Sequence, residues 1–460
     1  MNNQNVLGTE SIGKLLLKYS VPAIIGMIVN ALYNIVDRIF IGHIPNVGPM
    51  AITGVGVTMP IMTLILAFGM LVGIGATASI SIKLGQGNKN EAEQIIGNAT
   101  KLIIFLGIGL TVLGLLFLNP LLRSFGATDQ TIVFAKDYIQ IILIGMIFNL
   151  FAFAFSHMTR ADGHPKLAAI VMVVGCAINM ILDPILIFGF DLGIQGAAIA
   201  TVISQAITAF WLLFHFTKGS SVLKISLINM KLNKSIIKAI FAIGMAPFAM
   251  QLASCFVQIF ANNTLMTYGG DMAIGAMTVI NSISLFFLMP IFGINQGSQP
   301  IIGFNYGARQ YHRSKKALIY SIIAATVVLS LGAALIQLFP AFFVGIFNND
   351  PTLTQMAVEG MKIFLFALPI LGISVVGPKY FQSIGKPKIS LLLSLMRQVL
   401  LFIPLLFILP RFMGLKGVWF VMPISDSITA VTTLYFLRRE MKRTRGQISY
   451  PKEMEDSLAG

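Results

Sequence analysis

Residues 171–188 read VMVVGCAINMILDPILIF, an apolar run long enough to cross a bilayer that nevertheless carries Asn179, Asp183 and Pro184. At helical spacing Asn179 and Asp183 are i and i+4, so both project from one face, and Cys176 extends that stripe by a turn. Such a face cannot look at lipid. Pro184 has no backbone N–H, so the Met180 carbonyl loses its usual partner and is free to meet a neighbouring group or a cation. An Asp in mid-membrane costs roughly 2.5–3.5 kcal/mol on insertion scales, and residues of this kind mark ion or substrate pathways. The plainer alternative is a packing device, hydrogen-bonded inside a bundle. A second acid of the same kind, Asp37 in the first apolar run, weakens it.

Composition sets the class around this stretch. The chain of 460 residues is 56% hydrophobic and only 11% charged, with a mean hydropathy of +0.84. Apolar runs lie near 16–42, 50–82, 95–119, 130–158, 166–189, 196–217, 235–262, 272–302, 317–340, 354–382, 388–410 and 416–437. A water-soluble domain does not repeat apolar runs of about 20 residues, so the expected fold is an all-α polytopic membrane protein with twelve transmembrane helices. The first residues are polar and no short apolar core precedes a small-residue cleavage site, so no removable signal peptide is expected.

A net charge of +15 invites a nucleic-acid reading, but the placement of the charges decides against it. All of the 32 Lys and Arg except Arg38, Arg123, Lys136, Lys362, Arg397, Arg411 and Lys416 lie in the tails and in the loops after the even-numbered runs. The positive-inside rule then places both termini in the cytoplasm. The two cysteines, Cys176 and Cys255, sit inside spanning runs and predict neither a disulfide nor a metal site.

The two halves come into register at an offset of about 222 residues. Gly163-His164-Pro165-Lys166 then matches Gly385-Lys386-Pro387-Lys388, Gly193-Ile194-Gln195-Gly196 matches Gly414-Leu415-Lys416-Gly417, and Gly87 falls near Gly307. A duplicated unit with an even number of helices keeps its topology, so the pseudo-twofold axis runs along the membrane normal and a central cavity between two six-helix bundles is expected. The expected domains are an N-terminal lobe (1–217), a basic linker that serves as hinge or tether (218–234), a C-terminal lobe (235–440) and a cytoplasmic tail (441–460).

The polar residues inside the runs are unevenly divided. In the first run Asn30, Tyr33, Asn34 and Asp37 share a stripe, the fourth run supplies Tyr138 and Asn149, and the sixth supplies Thr201 and Ser204. Together with Asn179 and Asp183 they predict an oxygen-rich cluster in the N-terminal lobe. Hard oxygen donors suit sodium, and two close carboxylates suit a shared proton. The second half lacks the acid pair, because Leu401 and Leu405 stand at the matching positions. Arg397 and Asp426 are expected to pair instead, and Gln251, Asn281 and Met289 are candidate liners of a substrate cavity. Abundant Met and Phe, 24 and 35 residues, suit adaptable recognition of cationic amphiphiles. No GxxxxGK[ST], HExxH, CxxC or GxSxG occurs, the five His are scattered, and the Asn98-Ala99-Thr100 sequon lies on the side where glycosylation does not act.

The stripe ending in Asp37, the Arg160-Ala-Asp-Gly163-His-Pro165 turn, and Asn179-x-x-x-Asp183-Pro184 followed by Gly196-Ala-Ala-Ile-Ala-Thr201 resemble the multidrug and toxic compound extrusion (MATE) family, in particular its bacterial MepA-like branch. The likeness covers nearly the whole chain. It implies a secondary antiporter, not an enzyme, that exports cationic amphiphilic drugs in exchange for protons or sodium ions, without a further cofactor. It also implies that Asp37, Asn179, Asp183 and Thr201 form the cation site, with Tyr33, Asn34, Tyr138 and Asn149 around it. Small-molecule drugs and the bilayer are the expected partners and a monomer the expected state. One branch of the family relies on an acid in the seventh helix, where this chain has only Gln251 and Gln258. The rival within the broader superfamily is a flippase for a lipid-linked anionic precursor, which would need cations in the central cavity.

Overall fold

A computed structural model of the chain describes residues 3–45, 47–226, 228–346 and 351–445, and all regular elements among them are helical. Ten uninterrupted helices are long and apolar enough to cross a bilayer, and two bent pairs bring the spans to twelve. They are α1 (Ile12–Gly42), α2 (Gly48–Gly85), α3 (Lys89–Leu116), α4 (Ile132–Ile144 with Met146–Ala161), α5 (Pro165–Gly189) and α6 (Gly193–Thr217). The second set is α7 (Lys234–Gly270), α8 (Met272–Gly307), α9 (Tyr311–Leu338), α10 (Pro351–Phe364 with Leu368–Ser383), α11 (Pro387–Met413) and α12 (Leu415–Arg445). The 441–460 tail expected from sequence begins inside α12, and residues 446–460 lie outside the described residues.

The duplication is written in the backbone. The spans expected as single helices at 130–158 and 354–382 are bent by 57° and 55°, at Gly145 and at Ala367, which occupy equivalent places in the two halves. Left-handed residues recur in the same way: Gly163 (φ 93°) with Gly385 (φ 73°), and Gly193 (φ 53°) with Gly414 (φ 58°). One register differs from the sequence reading. Gly87 (φ 74°) answers to Arg309 (φ 59°), a non-glycine residue in the αL region, whereas Gly307 answers to Gly85.

Close approach at small residues holds each half together. In the first half, a Cβ on Gly73 would sit 2.8 Å from Ala154 Cα and one on Gly69 3.3 Å from the Phe153 ring, so the glycine face of α2 seats α4. In the same sense, a Cβ on Gly196 of α6 would lie 2.7 Å from the Leu186 carbonyl carbon. Pro184 does not stop α5; the chain widens into a π-helical turn over Ile185–Gly189.

The lobes exchange their first helices. Leu7, Ile12, Leu15, Leu16 and Tyr19, from the start of α1 and the segment before it, are buried in the core formed by α7–α12. Ile236 and Ile240, from the start of α7, are buried in the core formed by α2–α6. Beyond that crossing α1 turns to its own half and packs along α5. The seam between lobes is nearly bare backbone. A Cβ on Gly85 would lie 2.8 Å from the Phe304 carbonyl carbon, and one on Gly307 2.9 Å from that of Ile82. A Cβ on Gly293 would lie 2.8 Å from Ile24 Cα, and one on Gly297 2.7 Å from Ser20 Cα. All these contacts fall in the halves of α1, α2 and α8 nearer the chain termini, so the lobes are closed at that end.

At the same end the linker is docked onto the first lobe. Buried Asn98 donates to the Lys231 carbonyl at 3.0 Å and accepts from the Asn233 N–H at 2.9 Å. Glu93 accepts from the Lys224 N–H at 3.3 Å and from the Asn229 amide at 3.2 Å. Opposite it, Lys386 pairs with Glu440, and Arg313 donates to the Leu7 and Glu10 carbonyls. Both ends of the described chain and the loops after α2, α4, α6, α8 and α10 therefore gather on one face.

Candidate functional site

The face of α5 that sequence singled out is turned inward against α6. Asn179, Asp183 and Thr201 are 1%, 0% and 2% exposed. The Asn179 amide lies 3.4 Å from both Asp183 Oδ1 and Thr201 Oγ1. With the amide turned so that its nitrogen faces the acid, it donates to Asp183 Oδ2 at 3.1 Å and its oxygen accepts from the Thr201 N–H at 3.2 Å. That orientation satisfies donor and acceptor together, which a buried amide requires. Ser204 donates to the Thr201 carbonyl at 2.8 Å and fixes the same turn of α6.

From α1, Asp37 is buried, and its Oδ1 has no hydrogen-bond partner among the described residues. The packing of α1 along α5 brings the elements that carry Asp37 and Asp183 side by side. Tyr138 is buried and Tyr33 half-buried. Arg38 is exposed and turns its guanidinium toward Met59 Sδ at 3.8 Å. Neither Asp37 nor Asp183 makes an ion pair among the described residues. The other expected neighbours are looser: Asn34 is exposed and donates back to the Asn30 carbonyl at 2.6 Å, and Asn149 is half-buried. What results is two carboxylates without a cation, an amide and hydroxyl oxygens, a donor set suited to one small hard cation or a proton.

The second lobe is built differently at the corresponding place. Leu401 and Leu405 are apolar and half-buried, and the charge sits one turn earlier, at Arg397. Arg397 Nε donates to Asp426 Oδ1 at 2.6 Å. Arg397 sits in a π-helical turn, Met396–Leu401, and its carbonyl accepts from Ser425 Oγ at 2.6 Å. Ser374 donates to the Asp426 carbonyl at 3.0 Å. Among the candidate cavity liners Gln251 and Met289 are half-buried and Asn281 is exposed.

Sequence reasoning passed over one constellation. Asp162, at the end of α4, receives His164 Nδ1 at 2.9 Å and His215 Nε2 at 3.2 Å on its Oδ2, while Oδ1 accepts from the Leu223 N–H at 3.0 Å. Burial opposes the ionisation of Asp162, but hydrogen bonds from His164, His215 and Ser221 outweigh it and hold the carboxyl below the usual carboxylate range. His215 is 53 residues from Asp162, so a scan for ligand spacing sees only isolated histidines.

Comparison with known proteins follows the same outline. The MatE family profile matches residues 22–185 and 242–408, one stretch in each lobe. The chain belongs to the MATE family. It is therefore a multi-pass membrane transporter rather than an enzyme. It is similar to the multidrug export protein MepA of Staphylococcus aureus (strain MRSA252), with 28% identity over 434 residues that cover 92% of this chain and 94% of that one. Among solved structures it superposes on an outward-facing multidrug resistance MATE transporter of the MOP superfamily with a TM-score of 0.90 and 24% identity, covering 97% and 99% of the two chains. It also matches a MOP superfamily transporter from Pyrococcus furiosus Vc1, described by a binding pocket of reverse polarity that suggests a different function. There the TM-score is 0.88 and the identity 26%, with 96% and 98% of the two chains covered.

Proposed function

We propose that this MATE transporter is a multidrug efflux antiporter of the bacterial plasma membrane, exporting cationic amphiphilic drugs in exchange for protons or sodium ions. Asp37, Asn179, Asp183 and Thr201 hold the coupling ion. The observation that carries the reading is two buried acids on helices packed together, Asp37 on α1 and Asp183 on α5, without an ion pair among the described residues. Two uncompensated acids in an apolar bundle are costly, and a bound proton or Na+ removes one of the charges.

With the basic loops in the cytoplasm, the closed seam is the cytoplasmic one. An ion then enters from outside, neutralises the Asp37–Asp183 cluster and relaxes the packing of α1 on α5 and α6, and drug leaves outward. Reopening of the seam at Gly85 and Gly307 admits the next drug from the cytoplasm. If one proton exchanges for one monovalent drug cation, no net charge moves; a second ion adds roughly 2.3 kcal/mol per 100 mV of membrane potential.

The anionic-lipid alternative depended on Arg397 as a cation free to take a phosphate, and that guanidinium is tied to Asp426. The similarity to MepA, a multidrug export protein, supports the drug reading. The test is ethidium efflux from vesicles containing the purified protein, under a proton gradient or a sodium gradient imposed separately, for wild type and Asp183→Asn. One gradient should drive efflux and the variant should lose it; undiminished efflux in Asp183→Asn would sink the coupling site.

A further inference from the structure

Asp162, His164 and His215 lie at the closed end of the first lobe, where α4, the turn before α5, the last turn of α6 and the linker meet. Their ligating atoms all fall within 4.8 Å of one another, and Asp162 and His215 are buried. His164 Nδ1 and His215 Nε2 both converge on Asp162 Oδ2, at 2.9 and 3.2 Å, and the two rings stand edge to face at 73°. Zinc at about 2.0–2.1 Å from nitrogen and oxygen ligands in tetrahedral geometry places those ligands about 3.4 Å apart. The two distances to Asp162 Oδ2 are 0.5 and 0.2 Å shorter than that spacing and the two imidazole nitrogens lie within 4.8 Å of each other, so side-chain rotation has to open the first two and set the third.

We infer that Asp162, His164 and His215 form a site for one divalent transition-metal ion of the zinc, cobalt or nickel kind. Two imidazoles and one carboxylate are borderline ligands that disfavour magnesium and calcium, which take oxygen shells. The carboxylate is oriented from behind: its other oxygen accepts from the Leu223 N–H, and Ser221 donates to the Leu223 carbonyl at 2.7 Å. The edge of His164, 18% exposed, gives the ion a way in and leaves room for water as a fourth ligand. Binding replaces the two hydrogen bonds to Oδ2. With both imidazoles neutral, each ring proton moves to the non-ligating nitrogen, so no proton is released. Because Asp162 also holds Leu223, the ion fastens the start of the linker to the first lobe. This site is separate from the proposed coupling site and does not depend on it.

Co2+ is the probe: it is added to the purified, untagged full-length protein in detergent and followed by its visible spectrum, with Zn2+ displacement and thermal unfolding in parallel. One equivalent should give the intense bands of four-coordinate cobalt, bleached by Zn2+, and Zn2+ should raise the unfolding temperature. His164→Ala, the most accessible of the three positions, and His215→Ala should abolish both effects, while Asp183→Asn should keep them. Weak octahedral cobalt spectra in wild type overturn the assignment. So does an unchanged signal in His164→Ala that elutes as a monodisperse protein.

Discussion

A single methyl group at the seam tests whether bare backbone contact is what keeps the lobes closed. In Gly307→Ala the new Cβ would sit 2.9 Å from the Ile82 carbonyl carbon and 3.0 Å from Ile82 Cα, with the carbonyl oxygen nearer still. Real Cβ atoms essentially never come below 3.0 Å, and the obstacle is backbone, which cannot rotate away. The helices must part by about 1 Å, and overpacking of this kind costs about 1–3 kcal/mol. Since each 1.4 kcal/mol is tenfold, the closed state should lose about five- to 150-fold in population relative to the open one. A cysteine placed at Ile243, buried beside the seam, reports this through its rate of labelling by an impermeant maleimide in a background lacking Cys176 and Cys255. Gly85→Ala should match Gly307→Ala, because its Cβ meets the Phe304 carbonyl carbon at 2.8 Å. The double variant should fall short of the sum, since one separation relieves both clashes. Gly109→Ala, with nothing within 4 Å, is the control. Labelling that rises less than twofold in both seam variants would refute the reasoning, as would full additivity.

Three further outcomes follow from the geometry. Arg397→Ala strands Asp426 in the second lobe and should cost about 3–5 kcal/mol, read as a loss of thermal stability in detergent, with Arg397→Ala/Asp426→Ala no worse than the single change. Asn98→Ala removes the hydrogen bonds to Lys231 and Asn233 and should cost about 1–3 kcal/mol locally, so trypsin should cut at Lys224 and Lys231 several-fold faster. Asp162→Asn should lower the unfolding temperature at neutral pH. The Asp162 carboxyl titrates lower folded than unfolded, so its stabilisation is fully present above about pH 4 and fades only as pH falls through the depressed folded value. The gap between wild type and Asp162→Asn should thus persist from about pH 8 to pH 5; a gap that closes in that range would contradict the assignment.

The spans, the duplication and the inward face of α5 were legible because each is a local pattern: apolar length, a repeated glycine turn, an i and i+4 pair. The pairing of Arg397 with Asp426 was legible for a related reason, since a charge inside a span has few places to find a partner. The bends at Gly145 and Ala367 were not, because a bent span is as apolar and as long as a straight one. Asn98 read as an idle sequon; its value lies in the linker carbonyl and N–H more than a hundred residues away. The histidines looked scattered for the same reason, and only the fold brings α6 back over the turn that carries Asp162 and His164. Helix exchange leaves no sequence signal, since the apolar start of α1 suits either core.

That exchange has the form of an arm-swapped homodimer. Gly85 touches the Phe304 turn and Gly307 the Ile82 turn, the start of α1 lies in one core and the start of α7 in the other, as an isologous interface demands when residue i meets j and j meets i. The two halves are subunits in all but covalent continuity, and the 218–234 segment is a fusion joint. Selection on the joint surface must keep both copies compatible, whereas positions away from it are free to drift. Asn179 and Asp183 in one copy and Leu401 and Leu405 in the other show how different the two interiors are. Co-expressed as two separate chains cut within the joint, the halves should find each other again.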